Sequence, residues 1–439
     1  MKSDSNKNQN LILIQLNEIN FDVVYKYIQL YPQRFKGFKR LIDGINLNTM
    51  AEESYEYLEP WIQWVSVHTG KSYDQHKVFR LGDIVNTKED QIFEIVEKKG
   101  YKVGAISPMN AKNNLKNSSY FIPDPWTKTK TDNSRWSKAL SLAISQVVND
   151  NSKSKLTFKS ALIMLLGLIR FARFKHYGLY IYNIINSRRA PWRKALALDL
   201  FLHDIHLSLY KNYKPNFSTL FLNSGAHIQH HYFFNCSVLK SQLDHRNPSW
   251  YIDKNQDPFL EMLDIYNVIL LDIQDKKNTE YIIATGLSQK PYNKVKYYYR
   301  LKNHSDFISK LGIKFKSIYP RMTRDFLIEF SSKEEVSIAQ KILSQIKVNN
   351  KVPMFGKVDN RGLSLFVTLT FPDEVGPETS IVINSSLINL NNEVVFVAIK
   401  NGMHQTKGFS FYSKGLENLA PPDNAHVKDI FQTINNFLT

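Results

Sequence analysis

Three imidazoles fall within five positions, His227, His230 and His231, a quarter of the twelve histidines in a 439-residue chain. They follow an apolar run, Thr219-Leu220-Phe221-Leu222, that breaks at Asn223-Ser224-Gly225. Imidazoles ligate divalent metals, move protons near neutral pH and donate to anions. A β-rich apolar run delivers such groups to its carboxyl end, where open α/β sheets bind ligands. Other groups stand in comparable places. Glu18 follows the run LILIQL, Glu59 and His68 lie in the stretch EPWIQWVSVHTG, and His404 comes two residues after Gly402. Carboxylates set among imidazoles could perform general acid–base catalysis or hold a metal ion. The plainer uses are buried, hydrogen-bonded histidines and, for Glu18, a first-turn helix carboxylate.

The elements that must position these groups can be read from periodicity. Residues 11–16 predict a buried parallel strand, and 21–30 predict a helix that stops before Pro32. Thr69-Gly70 ends a buried helix. An amphipathic helix over 89–99 stops at Gly100 and leads into a strand over 101–107. A long helix over 260–273, a strand over 281–284, a last core strand over 392–400 and a closing helix over 425–438 complete the pattern. Strand–helix alternation of this kind predicts an α/β fold, a three-layer αβα sandwich with a mostly parallel sheet. Between 296 and 370 the pattern becomes β, α, β, α, β, and 324–343 resembles the second strand and helix of a ferredoxin-like module. The expected domains are therefore a core over 10–291, a small α+β ferredoxin-like insertion over 292–392, and the end of the core over 393–439.

Composition restricts the setting. A net charge of +17 and a pI near 9.5 call for anionic partners. The single cysteine, Cys236, excludes internal disulfides and a cysteine-based zinc site. The polar start MKSDSNKNQN and the short LILIQL predict neither signal peptide nor membrane span, and so a cytoplasmic protein. Residues 151–198 contain no Asp or Glu but ten Lys and Arg, around the apolar ALIMLLGLI and several aromatics. Nine apolar residues cannot span a bilayer. Such a segment suits a helix lying on the anionic inner face of the membrane, a pocket for a lipid-linked phosphate, or a core helix with a solvated basic rim. No nucleic-acid-binding module is present, so nucleic acid is not an expected partner.

The order of the pieces resembles the alkaline phosphatase superfamily, in particular its nucleotide pyrophosphatase/phosphodiesterase branch. ILIQLNEIN is similar to the family's first strand, PWIQWVSVHTG to its nucleophile helix, NSGAHIQHH to its Asp-x-x-x-His metal motif, IIATGLSQ to the strand ending in Asp-His-Gly, and GMHQTKGF to its late His motif. The match is uneven. The first metal Asp falls on Asn17 or, shifted by one, on Glu18. The nucleophile falls on Pro60, between Glu59 and Trp61. The central Asp falls on Asn223, four residues before His227, and the Asp-His pair falls on Leu287 and Ser288. A two-metal site needs carboxylates for two dications, and these replacements do not supply them.

The resemblance implies an enzyme acting on a phosphate or diphosphate ester. It implies catalytic roles for Glu18, Glu59, His68, His227 and His404, and substrate contacts for Asn17, Gln63, Asn223, His230 and Gln289. It implies one divalent metal ion on His227 and His404, or none. Without a nucleophile the expected reaction is direct transfer, from a nucleotide sugar or lipid-linked sugar phosphate, in surface polysaccharide assembly. The alternatives are an inactive relative that binds a phosphorylated glycan or a partner protein, and a metal-dependent phosphodiesterase.

Overall fold

The computed structural model describes residues 9–149, 157–321, 324–383 and 386–439. β1 (Leu11–Leu16) is buried at every position, as an apolar strand covered on both faces must be. β2 (Ile45–Met50), β3 (Val103–Ile106), β4 (Tyr120–Ile122), β5 (Phe217–Leu222) and β6 (Glu280–Ala284) join it with the strands Lys407–Tyr412 and Ala425–His426. The resulting eight-stranded sheet runs Ala425–His426, β2, Lys407–Tyr412, β6, β1, β5, β3, β4. β1 pairs in parallel with both β5 and β6, and Lys407–Tyr412 is antiparallel to β2 and β6.

Side chains of a strand alternate between faces, and β1 divides its own accordingly. Leu11 and Leu13 pack with Trp64, Phe93 and Ile430, whereas Ile12, Ile14 and Leu16 pack with Phe21, Leu200 and Leu263. The helices Pro60–Thr69, Ile92–Lys98 and Ile430–Phe437 therefore cover one face, and Phe21–Leu30, Trp192–Tyr213 and Pro258–Gln274 the other. This is the three-layer sandwich with a mostly parallel sheet that the alternation predicts.

The chain divides into two compact units. The described parts of 1–148, 156–291 and 402–439 make up one, and Tyr292–Asn401 belongs to the other. The second unit has its own apolar core, with Phe326, Ile328, Leu343 and Leu365 inaccessible. It is α+β, but its strands divide between two four-stranded sheets rather than one ferredoxin-like sheet. The physical reason is the short hairpins after residue 346: Lys347–Val348 pairs with Val352–Pro353, and Ser380–Ile383 with Ser386–Asn389.

The expected last core strand, 392–400, also falls elsewhere. It lies in Val394–Gln405, which pairs with Ser288–Leu301 in a separate two-stranded ribbon. Several of its positions are exposed or half-buried, whereas Lys407–Tyr412, buried along nearly its whole length, enters the large sheet instead. Residues 151–156 of the basic segment lie outside the described residues. Among the described residues, no helix is long and apolar enough to cross a membrane.

Candidate functional site

Glu18 is the centre of the site, and the fold forces it there. After β1 the chain turns with Glu18 at φ 63°, a left-handed conformation that costs a non-glycine residue roughly 1–2 kcal/mol. Such strain persists where surroundings over-determine the backbone. Here the Glu18 N–H donates to the Thr285 carbonyl at 3.1 Å, and its own carbonyl accepts from Gln229 Nε2 at 2.8 Å. Gln229 also accepts from the Asn20 N–H at 3.0 Å, so one side chain of the Ser224–Tyr232 helix clamps the turn.

The Glu18 carboxylate is buried. Its Oε2 lies 3.0 Å from His404 Nε2 and 3.1 Å from His230 Nε2, and accepts from Gln289 Nε2 at 2.5 Å. Its Oε1 accepts from Asn17 Nδ2 at 3.0 Å. Burial alone would raise the carboxyl pKa, but attraction to His404 and then His230 holds it well below the usual range. Burial would likewise lower His404, yet Glu18 and, more weakly, Glu59 push it up to about 9.

The donor atoms of Glu18, His230 and His404 lie within 4.8 Å of one another, the one such cluster among the described residues. His404 Nε2 is buried and makes no aligned hydrogen bond despite its 3.0 Å approach to the carboxylate. Two ligand atoms on a tetrahedral ion at 2.0–2.1 Å sit about 3.3 Å apart. Separations of 3.0 and 3.1 Å, from two imidazoles to one carboxylate oxygen, fit a single divalent ion.

The positions of a second ion do not fit. Asn17 Nδ2 donates to Asn223 Oδ1 at 2.8 Å, and Asn17 Oδ1 accepts from Trp64 Nε1 at 2.8 Å. A neutral amide thus donates to another where two carboxylates would repel. Asn223 and Ser224 are in turn anchored by Asp199, which accepts from the Ser224 N–H at 2.8 Å and from Tyr266 Oη at 2.7 Å. Leu287 packs in a small apolar cluster with Ala51 and Leu58, and Ser288 Oγ donates to the Lys407 carbonyl.

Of the residues singled out in the sequence, the fold gathers Glu18, His230, His404, Asn17, Asn223 and Gln289. Glu59 stands beside them at the N-cap of Pro60–Thr69, half-exposed, its Oε2 3.8 Å from His404 Nδ1. Three others require correction. His227 is absent from the Glu18 cluster; its ring packs on His231 at 4.8 Å. His227 and His231, four residues apart, pack on each other, and it is His230 whose Nε2 reaches Glu18.

His68 lies eight residues, or about 12 Å of helix, beyond Pro60. It is buried against Phe93, accepts from Gln15 Nε2 at 2.6 Å, and burial lowers its pKa to about 3. Gln63 is occupied by backbone, donating to the Tyr57 carbonyl at 2.8 Å and accepting from the Glu52 N–H at 3.2 Å. Sequence reasoning missed Gln229, Asp199 and the Trp64 indole. Only the closeness of Gln229 to the histidines gave any signal.

No family model matches the chain, and no curated protein matches it. Solved structures do. The chain is similar to phosphonoacetate hydrolase from Sinorhizobium meliloti 1021, in complex with phosphonoformate, at 10% identity and a TM-score of 0.45, over 99% of this chain and 97% of that one. Murine ectonucleotide pyrophosphatase/phosphodiesterase 5 is similar at 8% identity and a TM-score of 0.43, over 98% and 95%. Alkaline phosphatase from the Antarctic bacterium TAB5 is similar at 10% identity and a TM-score of 0.40, over 98% and 97%.

Proposed function

We propose that this chain is a divergent alkaline-phosphatase-like enzyme acting on a phosphate or diphosphate ester. The observation that carries this reading is the convergence of Glu18, His230 and His404 at the carboxyl end of β1, with Glu59 alongside. A single divalent ion on those three ligands would polarise a phosphoryl oxygen.

The chain's own groups do the rest. Pro60 stands where a nucleophile would be needed, so the acceptor hydroxyl attacks phosphorus directly while the bond from that phosphorus to the donor's bridging oxygen breaks, and the nucleotide or lipid phosphate leaves with that oxygen. Glu59, half-exposed at the mouth, takes the hydroxyl proton. Gln289, Asn17 and Gln229 hold the Glu18 carboxylate and its turn in place. With a net charge of +17, a nucleotide sugar or lipid-linked sugar phosphate is the fitting donor, and surface polysaccharide assembly on the cytoplasmic side the fitting setting.

The Asn17–Asn223 hydrogen bond, a neutral contact made without any ion, favours a second reading, an inactive relative that binds a phosphorylated glycan or partner protein. Elemental analysis of the purified chain, with calorimetric titration of a nucleoside-diphosphate sugar, tests both. The enzyme reading expects about one zinc or manganese per chain, lost in His230→Ala and His404→Ala and kept in His227→Ala. It further expects glycosyl-phosphate turnover that falls at least about 100-fold in Glu59→Gln. Sugar-nucleotide binding with no turnover selects the binding-only relative. Near two equivalents of metal would restore the phosphodiesterase.

A further inference from the structure

The helices Phe158–Phe171 and Tyr177–Asn186 pack on one side and are open on the other. Inward, Gly167 lies against Phe201 and Leu140, where even a methyl group would crowd the Phe201 ring. Phe171, Tyr180 and Asn183 are buried. The link between the helices is pinned. Arg173 and Lys175 each reach Asp272 at 2.5 Å, while His176 Nδ1 and Tyr180 Oη each reach Asp204 at 2.8 Å.

Outward, the first helix exposes Phe158, Leu162, Leu165, Leu166 and Ile169. At 100° per residue these five fall within an arc of about 100°. The link and second helix add Phe174, Tyr177, Ile181, Ile184 and Ile185, and no residue from 177 to 186 is charged. Phe174 is 88% exposed and Ile185 71%, so large apolar side chains recur on the open side along both helices and the link between them.

Its rim is basic. Exposed basic residues flank it along the chain, Lys159 and Arg170 on the first helix, Arg188 and Arg189 just after the second, and Lys194 early in the next, and among the described residues no carboxylate pairs with any of them. No acidic residue occurs between 151 and 198. Charge complementarity decides between occupants. A second copy docked about a two-fold axis would set this basic rim against itself. An anionic bilayer answers both features at once, with acyl boundary for the apolar arc and headgroup phosphates for the rim.

We propose that this helical pair seats the protein on an anionic membrane surface, lying in the interface without spanning it. The inference is independent of the phosphate-ester reading. Co-sedimentation of the full chain with mixed phosphatidylglycerol–phosphatidylcholine vesicles tests it, with pure phosphatidylcholine vesicles and high salt as comparisons. Binding is expected to the mixed vesicles, weaker to phosphatidylcholine alone and weaker at high salt.

Leu165→Glu with Ile169→Glu is expected to abolish binding, at an unchanged melting temperature because both side chains are exposed. Arg188→Gln with Arg189→Gln is expected to weaken partitioning about 25-fold, at about fivefold per basic group. Absence of binding to mixed vesicles, or equal binding by these variants, overturns the proposal. Sedimentation equilibrium supplies the other arm: a dimer that Leu165→Glu with Ile169→Glu dissociates, in a chain that ignores vesicles, assigns the face to a second copy.

Discussion

At the scale of single residues, the site depends on an absent side chain as much as on those present. A Cβ at Gly402 would collide with Gln289 Oε1 and come within 2.7 Å of the Gln229 carbonyl oxygen. Both glutamines hold Glu18. Gly402→Ala is therefore expected to lose bound metal and about 1–3 kcal/mol of stability, read by elemental analysis and denaturant unfolding. Unaltered metal content would show that Gln289 does not fix the carboxylate. Asn17 gives a sharper test, because its amide donates to both Asn223 and Glu18. Asn17→Asp removes both donors and sets a second negative charge beside a buried one, which should cost about 1–3 kcal/mol without metal. Added zinc should return part of that loss, and a chelator should remove it again. A variant as stable as the parent in chelator would sink the account of the amide pair as a substitute for ion-bridged carboxylates. His230 and Gln289 were legible as site candidates because they follow strand ends. Their partners were not, since the contact with Glu18 spans more than 200 residues and depends on which way a helix turns.

At the scale of elements, the helix Pro60–Thr69 shows where sequence reasoning succeeds and fails. Its apolar run, its stop at Thr69-Gly70 and its burial were readable; the fold adds that Pro60 opens it and that Gly70 closes it at φ 69°. The direction in which each polar side chain points was not. Burial on nearly every side removes the amphipathic pattern that would separate a site-facing His68 from a core-facing one. The fold aims Trp64 at Asn17 and buries His68 on Gln15. That placement has a pH consequence. His68 has a folded pKa near 3 against 6.5 when unfolded, so its protonation favours the unfolded chain. Its contribution is full above pH 6.5 and is lost as pH falls from 6.5 towards 3, at about 1.4 kcal/mol per unit. His76, lowered to about 4 by burial, adds to the same acid limb. His68→Gln should flatten the limb by about one proton, measured as the slope of unfolding free energy against pH. An unchanged slope would mean that His68 is charged or solvated in the fold.

At the scale of the whole molecule, the parallel sheet was legible because its strands are uninterrupted apolar runs, and runs of that kind have few other solutions. The boundary of the second unit was less so. The strand Val394–Gln405 carries the same residue types as a core strand, and only its partner, Ser288–Leu301, reveals that it lies outside the large sheet. The two units keep separate apolar cores, one around Phe326, Leu343 and Leu365 and the others along the faces of β1. Separate cores imply separate cooperative unfolding, since each buries its apolar surface without the other. Calorimetry should then resolve two transitions. Phe326 is inaccessible and packs its ring against Phe355 at 6.1 Å and His304 at 5.0 Å. Phe326→Ala should lower one transition by about 3–5 kcal/mol and leave the other in place. The proposed ligands Glu18, His230 and His404 all belong to the first unit, so any metal content should survive the substitution. A single transition that shifts as a whole, with loss of metal, would instead mean that the second unit is integral to the sheet that builds the site.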